Sequence, residues 1–180
     1  MLTSDGSLAQ ELAQFIADND IQITAQPLGF DCQNGGILGT IGPAGSWFLP
    51  QPGTSQLVLA KEIFECGWTT TEAVTVMAHE TEHMRQVFSG LFLDPTDLTI
   101  LHLEDVEGPA YITETLVWDS LRRDSQGNIV LTTSNSDVDR RTNSFILPDG
   151  SVDVAAHNAY ISQTRDIKPS CPFFAQASCP

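Results

Sequence analysis

Cations are scarce in this 180-residue chain: 8 Lys and Arg, of which only Lys61 and Lys168 are lysines, face 23 Asp and Glu, for a formal net charge of −15. Affinity for DNA or RNA rests on neutralising phosphates, so no nucleic-acid partner is expected. An anionic membrane surface would repel the chain as well. Long apolar runs are also missing: none approaches the roughly 18 residues of a membrane span, so a soluble protein with no membrane partner is expected. Charged residues reach only 17% while hydrophobic ones reach 41%, which excludes a disordered chain or a coiled coil. Cysteine is sparse and never occurs as CxxC, so a cysteine-based zinc site has no local support.

The 180 residues and 19.6 kDa suffice for one domain with a core, read here as residues 1–168, followed by a Cys/Pro-rich tail at 169–180. Cys171 and Cys179 close a short loop in that tail, and Cys32 with Cys66 offers a second disulfide. Disulfides imply an oxidising compartment, secreted or periplasmic. The opening MLTSDGSLAQ has neither the basic region nor the apolar stretch of a signal peptide, which suits a cytoplasmic chain or a mature one with an added Met.

Ser7-x-x-Gln10 has the form of a capping box, and Leu8, Leu12, Phe15 and Ile16 follow at helical spacing, which predicts a helix over about 7–18. Ile21–Ala25 and Gln56–Ala60 read as strands, and the Gly/Pro-rich stretch between them as short strands separated by bends, with a tight turn at Asn34-Gly35-Gly36. Thr69 precedes Glu72 at the capping-box offset, and the run to Phe88 contains no Gly or Pro, so a long helix is predicted that stops near Gly90. A second helical pattern occupies about 104–123, interrupted early by Gly108-Pro109. Strands are predicted at Ile129–Thr132 and Phe145–Leu147, a turn at Asp149-Gly150 and a helix near 153–165. Helices and strands mix without regular βαβ alternation, which indicates an α+β fold.

The long helix carries His79-Glu80-Thr81-Glu82-His83, an HExxH motif. Residues four apart share a helix face, so both imidazoles can point at one metal ion, with Glu80 beside the pair. With four histidines in the chain, chance supplies only about 0.004 copies of the motif. The preceding AVTVMA is apolar, which argues against a merely solvated helix face. Zinc suits two imidazoles plus one more protein ligand, because a fourth position then stays open. Water on such an ion has a pKa of about 7, and Glu80 is expected to act as general base and then as acid toward the leaving amine.

The third ligand is not a histidine six residues on, since Ser89 and Gln86 occupy the positions that class requires. Asp94 and Asp97 do not lie in the aspartate-class surroundings. There remains a Glu from the following helix, as in His2Glu zinc sites. Glu104, Glu107 and Glu114 fall near one helix face, so periodicity does not choose among them. Glu107 is favoured because Ala110, three residues on, allows close approach of the two helices, although Gly108-Pro109 would set Glu107 at a helix start.

HETEHMRQ after an apolar turn, with VEGPAY downstream, resembles the compact gluzincin-type metallopeptidases of bacteria over about residues 56–123. The resemblance implies a small zincin-like domain, with the HExxH helix packed on a short mixed sheet and on a second, Glu-bearing helix. It implies zinc held by His79, His83 and Glu107, in an E-x-x-A context, and hydrolysis of a peptide or protein substrate. It also implies a sheet edge, here Gln56–Ala60, on which an extended peptide pairs. The alternative is a non-hydrolytic, zinc-stabilised peptide-binding protein of the same fold. Peptide deformylases bind metal through Cys and the two histidines of HExxH, but Cys66 would sit roughly 15 Å or more from the metal along the helix axis.

Tyr111 and His157 are the candidates for polarising a carbonyl oxygen as charge develops on it. Arg85 and Gln86 are read as holding Glu82 or the second helix, and Trp47, Trp68 and Trp118 as core. Substrate preference and oligomeric state are not encoded in any motif; the acidic surface favours basic or neutral peptides.

Overall fold

The structure, a computed structural model, describes residues 7–33, 38–41, 55–89, 103–133 and 136–164. Its elements run α1 (Ser7–Asp18), β1 (Gln22–Gln26), β2 (Gly39–Ile41), β3 (Gln56–Ala60), α2 (Glu62–Glu65), α3 (Thr70–Phe88), α4 (Leu103–Leu121), α5 (Ser136–Phe145) and α6 (Val154–Thr164). The class is mixed α+β, and the sheet is mixed too. In the order β1-β3-β2, β3 runs parallel to β1 (Gln22 opposite Gln56) and antiparallel to β2 (Gly39 opposite Leu59). The disulfide expected between Cys32 and Cys66 is formed, tying the segment after β1 to the end of α2. Cys171, Cys179, Trp47, His102, the 34–36 turn and the 169–180 tail lie outside the described residues.

Leu57, Val58 and Ala60 of β3 have no exposed surface and Leu59 little, the near-continuous apolar run of a strand covered on both faces. This corrects the expectation for Gln56–Ala60: the strand is central, and β2 holds the edge beside α3. Burying each Leu or Val side chain contributes about 1.5–3 kcal/mol. One core joins β3 to Ile63, Ala73, Val76 and Met84, so one face of α3 lies on the sheet. A second core joins Leu8 and Leu12 of α1 to Ala78 of α3 and to Ile112, Leu116 and Val117 of α4.

The start of α3 is fixed as its sequence implies. Thr69 Oγ1 accepts from Glu72 N (3.2 Å), and Glu72 Oε2 accepts from Thr69 N (2.7 Å), closing the capping box. Trp68 and Ala73, on either side of this cap, belong to the sheet-side core. The helix α4 is buried on almost every side, with Val106, Ala110, Leu116, Val117 and Trp118 all essentially inaccessible. That packing tolerates Pro109 inside the helix, where the ring removes the donor for the Asp105 carbonyl. Glu107 is therefore interior to α4, not at its start as expected.

Two further expectations are corrected. Ile129–Thr132 is not a strand: the segment makes one bridge, Arg123 with Ile129, while the amides of Val130 and Leu131 donate to the Arg122 carbonyl. Phe145–Leu147 is not a strand either; Phe145 ends α5, and Ile146 makes a single bridge to Val152 across the Asp149-Gly150 turn.

Candidate metal centre

His79 and His83 project from one face of α3 toward α4, which crosses at the level of Glu107. The Nε2 atoms of the two histidines are 3.1 Å apart, and Glu107 Oε2 lies 3.4 Å from His79 Nε2 and 3.8 Å from His83 Nε2. These three side chains form a group able to hold a metal ion. A four-coordinate ion with ligand bonds of about 2.0–2.1 Å spaces its donors about 3.3–3.4 Å apart, and the three observed separations bracket that value. Glu107 Oε2 is buried and accepts no hydrogen bond from the described residues, an arrangement costly without a cation in reach. The donor set therefore fits a bound divalent ion.

The other ring nitrogens are held from outside. Gln86 Nε2 donates to the Val106 carbonyl (2.8 Å), which turns its Oε1 toward His83 Nδ1 (3.0 Å). That amide orientation assigns the Nδ1 proton to His83 and leaves its Nε2 lone pair facing Glu107. His79 Nδ1 faces Glu114 Oε2 at 3.5 Å, and Glu114 Oε2 in turn lies 3.0 Å from Arg141 Nη2. A carboxylate behind a ligating histidine is the usual device for fixing ring and tautomer. Glu114, one of the ligand candidates, thus stands behind His79 at its other nitrogen, while the side chain of Glu104 lies outside the described residues. The Tyr111 ring packs edge-on against His79, with centroids 4.5 Å apart.

No protein-family model, curated protein or solved structure matches this chain.

Glu80 points from α3 toward β2. It is 9% exposed, and no hydrogen bond or ion pair among the described residues engages it. Burial pushes its carboxyl above the ordinary 4.5, against the pull of His79 and His83. Gly39 makes this possible: a Cβ there would lie 2.7 Å from Glu80 Cγ and 3.0 Å from Oε1. Burial alone would depress His79, yet the Glu107 and Glu114 carboxylates outweigh it and push the ring up to about 10 in the absence of a metal. Burial acts on Glu107 in the opposite sense to its neighbours, and the two imidazoles win, holding it below the usual carboxylate range.

His157 is wholly buried on α6, edge-on to Phe145. Arg85 bridges Glu82 at 3.3 Å, as expected of a helix-face pair. Sequence reasoning missed two contributors, Arg141 and Gly39. Neither has a local signature: Arg141 lies in a polar segment, and Gly39 is one of several glycines in its stretch.

Proposed function

We propose that this protein is a zinc-dependent peptidase with a zincin-like fold, using His79, His83 and Glu107 as metal ligands and Glu80 as the proton-transfer group. The observation that carries this reading is Glu80 itself. A carboxyl buried beside three converging donors, with no partner among the described residues, is a cost to folding and an asset only to chemistry. A non-hydrolytic metal site would have no use for it.

A zinc ion held by His79, His83 and Glu107 would supply a water of pKa about 7 and Lewis acidity toward a carbonyl. Glu80 takes the proton that the attacking water gives up as its oxygen bonds to the carbonyl carbon. It then delivers that proton to the amine nitrogen as the C–N bond breaks. Burial raises its pKa, which suits both halves of the exchange: a carboxyl less acidic than usual takes up a proton more readily and can still return it. Tyr111, against His79, is the candidate for steadying negative charge on the carbonyl oxygen. His157, sealed in the α5–α6 corner, enters no step.

An extended peptide is the substrate class that the neighbouring backbone favours. Leu38 O accepts from Ala60 N (2.8 Å), so along the antiparallel ladder the amide groups of Gly39 and Ile41 face away from β3. Glu80 lies against Gly39 of that edge strand, so a chain added along it would run close to the Glu80 carboxyl. The Cys32–Cys66 disulfide favours a secreted or periplasmic site of action. No helix of the described residues is long and apolar enough to cross a membrane.

The test is Glu80→Gln, with cleavage of a peptide library followed by mass spectrometry and zinc content measured alongside. The variant is expected to keep its zinc and to lose turnover by about 10²-fold or more. Wild-type turnover in Glu80→Gln, or a wild-type protein that takes up no zinc, would overturn the reading.

A further inference from the structure

Arg141 is 3% exposed, yet it sits on α5, a helix of otherwise mostly polar sequence. A buried guanidinium needs compensation, and this one finds it in two residues one turn apart on α4. Its Nη2 is 3.0 Å from Glu114 Oε2, and its Cζ lies 4.5 Å from the centroid of the Tyr111 ring. Both of those residues touch His79, Glu114 at Nδ1 (3.5 Å) and Tyr111 against the ring (4.5 Å between centroids). One cation thus grips the two groups that define how the His79 imidazole stands.

We infer that Arg141 is a positioning residue of the metal centre: acting from α5 through Glu114 and Tyr111, it fixes the His79 ring and so sets how tightly the ion is held. The inference rests on the metal-binding reading above. A planar guanidinium serves here better than an ammonium, because it pairs with a carboxylate and lies over an aromatic face at once. Without it, Glu114 is free to swing from Nδ1 and Tyr111 loses its cover, so the ring turns and Nε2 leaves the direction shared with His83 and Glu107.

The experiment measures zinc affinity by competition with a chromophoric chelator in wild type, Arg141→Met, Arg141→Lys, Glu114→Gln and the double variant Glu114→Gln/Arg141→Met. Thermal unfolding of each metal-free protein is recorded in parallel. Changes to the partners of ligating histidines cost about 10–100-fold in metal affinity. Arg141→Met is expected to weaken zinc about tenfold or more, with Arg141→Lys between it and wild type. The double variant is expected to be no more than about threefold weaker than the weaker single variant, because both lie on one path.

A merely structural arginine would lower the unfolding temperature and leave the affinity of the folded protein alone; that result overturns the inference. So does a double variant whose loss is the product of the two single losses. Should Arg141→Met not fold, the double variant, with both buried charges removed, decides: zinc affinity within about twofold of wild type overturns the inference, and affinity equal to that of Glu114→Gln supports it. A wild type that takes up no zinc overturns the metal-binding reading itself, which separates the two failures.

Discussion

Substituting Gly39 by Ala places a single methyl group between the sheet edge and the carboxylate assigned to proton transfer. Built on the observed backbone, that carbon would lie 2.7 Å from Glu80 Cγ, 3.0 Å from its Oε1 and 3.0 Å from Val76 Cγ1. Ordinary carbon contacts sit at about 3.5–4.0 Å, so the Glu80 stem must retreat by nearly 1 Å or β2 must lift by as much. The Cγ atom is mid-chain and Val76 is 3% exposed, so neither neighbour can simply swing into water. Overpacking of this kind costs about 1–3 kcal/mol, a fall of roughly 2–12 °C in unfolding temperature for a chain of this size. Turnover is expected to fall at least about tenfold, because a displacement near 1 Å at a reacting group costs up to about 10²-fold. Zinc affinity, set by His79, His83 and Glu107, is expected to stay within about threefold of wild type. Calorimetry, chelator competition and peptide cleavage on one preparation read the three quantities. A Gly39→Ala protein with unchanged stability and unchanged turnover would show that β2 does not bear on Glu80.

Glu107→Ala is expected to weaken zinc beyond detection in the chelator assay while the metal-free protein stays folded; wild-type affinity would refute the ligand assignment. For the metal-free protein the signs of the shifts define a pH window. The contribution from protonated His79 is complete below its ordinary 6.5 and is lost as pH rises through about 10. That from ionised Glu107 is present above its ordinary 4.5 and is lost as pH falls toward its lowered folded value. The unfolding temperature of the metal-free form should therefore be highest between about pH 4.5 and 6.5 on this pair's account. Zinc uptake at pH 7 should release about one proton from His79, measurable by titration calorimetry in buffers of different ionisation enthalpy; zero release would refute the assignment. Reduction of Cys32–Cys66, which spans 34 residues of sequence, should cost about 3–4 kcal/mol in a denaturant melt, and an unchanged midpoint would refute a stabilising role.

Short-range chemistry was the legible part of this sequence. His79, Glu80 and His83 lie within one and a half turns, so helical geometry alone brings them together, and the Thr69–Glu72 cap that starts their helix is equally local. The choice between Glu107 and Glu114 was not legible, because both lie on the same strip of α4. What separates them is which nitrogen of His79 each meets, and that depends on how α3 and α4 cross. α5 was missed because its buried face consists of Val138, Arg141 and Thr142, a pattern that apolar periodicity does not register. Gln56–Ala60 was placed at the sheet edge although its apolar run signalled a covered strand, while the edge strand beside α3, β2, has three described residues and contains a glycine.

The helix that bears both imidazoles is also the wall between two cores, giving Ala73, Val76 and Met84 to the sheet side and Ala78 to the helical side. His79 and Glu80 follow directly on Ala78, at the seam. Neither half of the molecule can loosen alone without releasing one flank of that seam. An excised piece containing only the sheet and α3, or only the helical layer, would be left with a scatter of donors and no fixed geometry for an ion. Any ion held by His79, His83 and Glu107 would therefore depend on both cores being intact.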